Sequence, residues 1–366
     1  MSVTAERSRP AQVEPDRLAG FPAPRETGLL VGHDSAFAEL AEALRSGRMH
    51  HAWLIVGPEG VGKATLAYEF ARFVLAGGEK VGAEHPVARK IAALSHPNLL
   101  VIRRSWVEKS KRYSQWIGVD EVRRLRSFLG HSAGEGGWRL VIVDRADEMN
   151  QNAANALLKA LEEPPVRTLF LLVSSAEGKL PVTIRSRART LRVGPLGREE
   201  LERAARAALV QARQEPDAKT LATALALSQG SVRRALELAS NDGVQLYDEI
   251  AGALAALPEI DGTRLHRQAE RLSGQGDPTR LDLYMALLLG FIERLIRFTA
   301  TGEGASEGEE RLAKRLVSPA GLVHWAEAWE AISQSKAATL ELNLDRGLLV
   351  LETWFRLQSL ARDHTV

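Results

Sequence analysis

The chain has 366 residues, 45% of them apolar and 26% charged, with a formal net charge of +2. That length suits two or three domains of an ordinary globular protein, and the charge excludes an overall basic field for nucleic acid, leaving only a local basic face open. There are no cysteines, which excludes disulfides, thiolate zinc sites and cysteine nucleophiles; no apolar run reaches the roughly 18 residues of a membrane span.

Residues 1–26 mix Pro, Glu, Arg and Ala without periodicity and lack the apolar core of a signal peptide, so they read as a flexible tail, with packing over the first domain as the alternative. In "LLVGHDSAFAELAEAL", Asp34 or Ser35 can cap a helix carrying Phe37, Leu40, Ala41 and Leu44 on one face. A short buried strand follows at 53–56, then the glycine-rich "GPEGVGKAT", then a helix with Leu66, Phe70, Phe73 and Val74 on one side. "PNLLVIRR" reads as a strand and "RRSWVEKSKRYSQW" as an exposed basic loop. "VDEVRRLRSFLG" is a helix with Val122, Leu125 and Leu129 in register. A buried strand at 140–143 ends in Asp144, a helix "NQNAANALLKALEEPP" stops at Pro164-Pro165, and "TLFLLVSS" is a further strand.

Strands alternating with helices predict an α/β domain, a parallel sheet flanked by helices, with ligands at the carboxyl ends of the strands. After Val193-Gly194-Pro195 the strand signal vanishes, and the acidic "TGEGASEGEE" interrupts a long helical remainder. The expected division is a tail at 1–26, the α/β domain at 27–194, a small all-α unit at 195–244 and a larger all-α unit at 245–366.

"GPEGVGKAT" nearly spells a phosphate-binding loop, G-x-x-x-x-G-K-[ST]. Gly57, Gly60 and Gly62 let successive N–H groups turn toward phosphate oxygens, Lys63 reaches the β- and γ-phosphates, and the following helix presents its positive end. Ala64 stands where a hydroxyl would hold magnesium. Thr65 is one residue on, about 100° around the helix, and can bond a phosphate oxygen on its own side but not replace that ligand. Asp144 sits where an acidic strand end would polarise a magnesium-bound water, with capping of a helix as its structural alternative. The next residue is Arg145, which cannot act as a base at neutral pH. Asp147 and Glu148 are too far along to replace a base without a bulge and read as solvated. The pattern implies binding without efficient hydrolysis.

In order, "HAWLIVGPEGVGKAT", "VDEVRRLRSFL", "VIVDRADEMNQNAANALLKALEEPP", "KLPVTIRSRAR" and "GSVRRALEL" resemble the AAA+ clamp-loader subunits of bacterial DNA polymerase III. The resemblance runs over about 28–240 and continues more weakly, as helices, to the end; it is greatest to the delta-prime branch. It implies that Arg187 is an arginine finger reaching a neighbour's ATP, although Ala188 replaces the cysteine of that motif. Arg233 matches the lid arginine that contacts phosphate in cis, and Ser174 and Ser175 fall near a phosphate-sensing position. Motor subunits of gamma or tau type keep a glutamate after the strand aspartate and a hydroxyl at position 64, whereas delta-prime subunits have degraded sites and an intact finger. Relatives with a zinc module carry four cysteines that this chain lacks; His85 and His96 alone cannot hold a structural zinc, and His50 and His51 read as packing or surface residues.

The resemblance implies a cytoplasmic subunit of a hetero-oligomer with gamma/tau and delta-type subunits, the sliding clamp and primed DNA as partners and no membrane. ATP or ADP can rest in its site but is not required, and no resident metal or zinc is implied. Two other readings stand beside it: an active AAA+ ATPase of motor type, and a P-loop kinase.

Overall fold

The structure, a computed structural model, describes residues 14–109, 112–130, 137–240, 242–273, 278–303, 305–342 and 344–364. The chain divides into two compact units, one formed by 1–215 with 230–234, the other by 216–229 with 235–366.

The first unit is built on a five-stranded sheet. Its strands are β1 (Ala52–Val56), β2 (Leu99–Ile102), β5 (Arg139–Asp144), β6 (Thr168–Ser174) and β7 (Arg189–Arg192), in the order β2-β5-β6-β1-β7 and parallel throughout. β1, β2, β5 and β6 are apolar runs because both faces are covered, whereas the edge strand β7, RTLR, buries only Leu191. The two-residue period of the strand then divides the side chains. Trp53, Ile55, Ile142 and Leu171 face one way and join Phe37, Leu40, Leu66, Phe70 and Phe73, from α1 (Asp34–Arg45) and α2 (Lys63–Leu75). Leu54, Val56, Val143 and Leu172 face the other way and join Val122, Leu125 and Leu157, from α4 (Val119–Gly130) and α5 (Gln151–Glu162). Each such buried side chain contributes about 1.5–3 kcal/mol. The order places β6 between β1 and β5, so the glycine loop after β1 and the acidic end of β5 open on the same carboxyl edge.

Three expectations are corrected in this unit. Within the expected tail, 14–26 is seated on the unit: Phe21, Ala23 and Arg25 are buried. Arg25 Nη1 pairs with Glu14 at 2.5 Å, and Arg103 Nη1 with Asp16 at 2.8 Å. The Arg103–Asp16 pair joins charges 87 residues apart, which leave no periodic trace in a sequence. Residues 1–13 lie outside the described residues. The expected basic loop contains a short hairpin, β3 (Trp106–Val107) and β4 (Arg112–Tyr113), with the Trp106 and Tyr113 rings edge-to-face at 5.3 Å. The first helix is entered through His33 in a left-handed conformation, and neither Asp34 nor Ser35 caps it.

In the second unit, α10 (Gly243–Ala256), α11 (Gly262–Ser273), α12 (Pro278–Thr301), α13 (Glu307–Leu316), α14 (Leu322–Leu342) and α15 (Arg346–His364) share one core around the fully buried Trp325, Trp354, Tyr284 and Phe291. One ion pair is sealed inside it: Arg294 Nη2 lies 2.6 Å from Glu309 Oε1, each side chain 3% exposed. No helix among the described residues is long and apolar enough to cross a membrane.

Candidate functional site

The glycine loop leaves β1 at Gly57, packed so closely on Val193 that a Cβ there would fall 2.1 Å from its carbonyl oxygen. Gly60 and Gly62 have φ of +77° and +107°, conformations that side chains resist. Gly62 is the N-cap of α2, and Lys63 is its first residue. The Lys63 ammonium is buried under the loop and donates to the Gly57 and Pro58 carbonyls at 2.9 and 2.5 Å. Burial pushes it down to about 8, against the raising effect of Glu59. Ala64 and Thr65 follow in the first turn, both half-buried.

Two further segments clasp the loop. His33 Nε2 lies 2.7 Å from the Val61 carbonyl. On the other side the segment 230–234 reaches Gly60: the Arg233 N–H donates to the Gly60 carbonyl at 3.3 Å. A Cβ on Gly60 would come within 2.3 Å of Ser231 Oγ and 2.6 Å of Arg233 Cβ. Arg233, anticipated beside the cradle, is brought there by its backbone. His33 and Ser231 were not anticipated; neither spacing nor composition marks a residue that holds a loop from another element.

Across the carboxyl edge, Asp144 ends β5 and is buried. Its burial, reinforced by the charge of Asp16, pushes the carboxyl up to about 7. A 3₁₀ turn at Ala146–Glu148 follows, the bulge that the sequence left open. It corrects the expectation that Asp147 and Glu148 are solvated. Asp147 is buried and accepts from the Ser175 N–H at 3.1 Å, while Glu148 meets Arg104 at 3.0 Å and Arg145 at 3.3 Å. Arg145 also reaches the loop itself, its Nη1 3.0 Å from Glu59 Oε1. Ser174, at the end of β6, is fully buried and its Oγ accepts from the Ala176 N–H.

Arg187 stands apart from this cradle, after the short helix α6 (Val182–Arg185) and before β7. Its Nη1 donates to the Thr183 carbonyl at 3.0 Å and its Nη2 pairs with Glu162 at 2.9 Å; the side chain is 36% exposed. His85 caps α3 (Pro86–Ala92) through the Val87 N–H, and His50 stacks on His51 at 4.4 Å. No group of three or more His, Asp or Glu among the described residues could hold a metal ion.

The arrangement fits a phosphate group. Three glycines, two at positive φ, bend the loop before a helix N-terminus, and a lysine sits beneath it. It does not fit a magnesium ion held in the usual way. Ala64 offers no oxygen, Asp144 is burdened by burial, and a guanidinium occupies the next position.

The parallel sheet, the glycine loop with its lysine and the acidic strand end define an AAA+-type P-loop α/β unit, followed by helices. The profile of the family described as "DNA polymerase III, delta subunit" matches residues 32–197. The chain is 32% identical over 266 residues to the DNA polymerase III subunit delta' of Escherichia coli, a match covering 70% of this chain and 74% of that protein. It is 39% identical over 140 residues to the subunit delta' of Pseudomonas aeruginosa, covering 37% of this chain and 41% of that one. A solved Thermotoga maritima protein described as DNA polymerase III gamma subunit-related aligns at a TM-score of 0.41 and 19% identity, over 88% of this chain and 100% of that one. The chain belongs to the delta-prime subunit family of DNA polymerase III.

Proposed function

We propose that this chain works as a non-motor subunit of the DNA polymerase III clamp loader, helping to load the sliding clamp onto primed DNA in the cytoplasm. It assembles with subunits of gamma/tau and delta type, through a working division into α/β domain (27–194), lid (195–244) and collar (245–366). Its own site hydrolyses ATP poorly or not at all, and Arg187 completes the ATP site of a neighbour, where a guanidinium stabilises charge on the transferring phosphate. Contacts with DNA are to phosphates and independent of sequence.

The observation that carries this reading is the position of Arg145. Its guanidinium, bound to Glu59 and Glu148, follows the strand-end Asp144 where hydrolysis needs a carboxylate to activate water. A cation there takes no proton from water. Steady ATP turnover by the isolated chain tests the reading. The rate should not exceed that of Lys63→Ala; robust turnover abolished by Lys63→Ala would refute it in favour of a motor subunit. For the finger, Arg187→Ala should lower the clamp- and DNA-stimulated ATPase of a reconstituted complex while assembly persists. An undiminished rate would remove the assigned role.

A further inference from the structure

Arg145 has a surplus of acidic neighbours. Glu148 lies 3.3 Å away and Asp147 3.8 Å away, with side chains only 18% and 4% exposed. Both belong to the turn that follows Arg145, and they fix the guanidinium from its own segment. Glu59 differs from them. It comes from the tip of the glycine loop, 86 residues earlier, its side chain is 57% exposed, and it meets Arg145 Nη1 at 3.0 Å. The loop thus lays an anion of its own on a cation at the mouth of the cradle. Both charges act on Lys63 beneath.

We infer that the loop binds the phosphate tail of a nucleoside di- or triphosphate without a divalent cation, with Arg145 as the counter-charge and Glu59 holding its place until phosphate displaces it. A guanidinium matches phosphate oxygens in a planar, two-pronged geometry and needs no hydroxyl ligand at position 64. Its positive charge repels a divalent ion from the same place. The pair with Glu59 is open to water, so it is weak and exchangeable. A phosphate carries more charge than one carboxylate and also meets the backbone N–H groups of the loop and the start of α2. Glu59 therefore competes with the ligand, while Asp147 and Glu148 keep Arg145 aimed.

This inference rests on the phosphate-loop reading but not on clamp-loader assembly, and it is tested on the isolated full-length chain. A fluorescent ADP analogue is titrated with magnesium present and again in excess EDTA. The two dissociation constants should agree within about twofold. Glu59→Gln should tighten binding about threefold or more, a gain that misfolding cannot produce, and Arg145→Ala should weaken it about tenfold or more. Binding that collapses in EDTA overturns the inference, as does an unaffected Arg145→Ala, a weakened Glu59→Gln, or no binding in either buffer. A failure to assemble with partner subunits leaves these constants untouched and bears only on the proposed function.

Discussion

Glu309→Ala should destabilise the second unit more than any surface change. Glu309 Oε1 accepts from Arg294 Nε at 2.7 Å and from Tyr247 Oη at 2.6 Å, and Oε2 accepts from the Ser306 N–H at 2.9 Å. The change leaves the Arg294 guanidinium, 3% exposed, without its counter-charge. Removing one partner of a buried pair costs about 3–5 kcal/mol, because the surviving charge stays out of water. Loss of the capping box at the start of α13 adds about 1 kcal/mol. Chemical denaturation followed by tryptophan fluorescence, with Trp325 and Trp354 fully buried in this core, reads the loss. A shift below about 1 kcal/mol would refute the buried-pair reasoning. There is an acid limb as well. Burial pushes the Glu309 carboxyl up, but the hydrogen bond and charge of Arg294 outweigh it and the net shift is downward. A lowered folded value gives stability that is present above the ordinary glutamate range, near 4.3, and is lost as pH falls through the folded value. Wild type should therefore lose stability below about pH 4 more steeply than Glu309→Gln.

Lys63 should show a dependence of the same sign in a higher pH window. Its folded value is about 8 against about 10.4 when unfolded, so the unfolded chain binds the extra proton between those values and stability rises with pH across that window. The stability of wild type relative to Lys63→Met, measured at pH 7, 9 and about 10.5, should climb; a flat difference would mean the ammonium is not desolvated. Gly60→Ala places a methyl against Ser231 and Arg233 in a backbone with φ of +77° and should cost about 1–3 kcal/mol. Amide exchange should speed up in 230–234 and little elsewhere; unchanged protection there would contradict the contact. Asp16→Ala removes the nearer of the two carboxylate acceptors of Arg103 Nη1, the other being Glu14, and should release the N-terminal segment. Limited proteolysis should cut within 14–26 faster than in wild type, and equal rates would show that Glu14 alone seats it.

The sequence by itself determined the elements and their chemistry. Apolar runs at 53–56 and 140–143 announced strands buried on both faces, Gly57, Gly60 and Gly62 announced a backbone turn, and Ala64 and Arg145 marked the two departures from a magnesium-dependent hydrolytic site on which the proposed function rests. These follow from local rules, since a two- or 3.6-residue period and a glycine's φ are properties of neighbouring residues. Only the tertiary structure decided which charges meet. It put Glu59 on Arg145, Glu162 on Arg187, Asp16 on Arg103 and the 230–234 segment on Gly60. It also buried Asp147, which its charge alone marked as solvated. An ion pair is fixed by distance in space and by exclusion of water, and a chain position specifies neither until the sheet has brought distant strand ends to one edge.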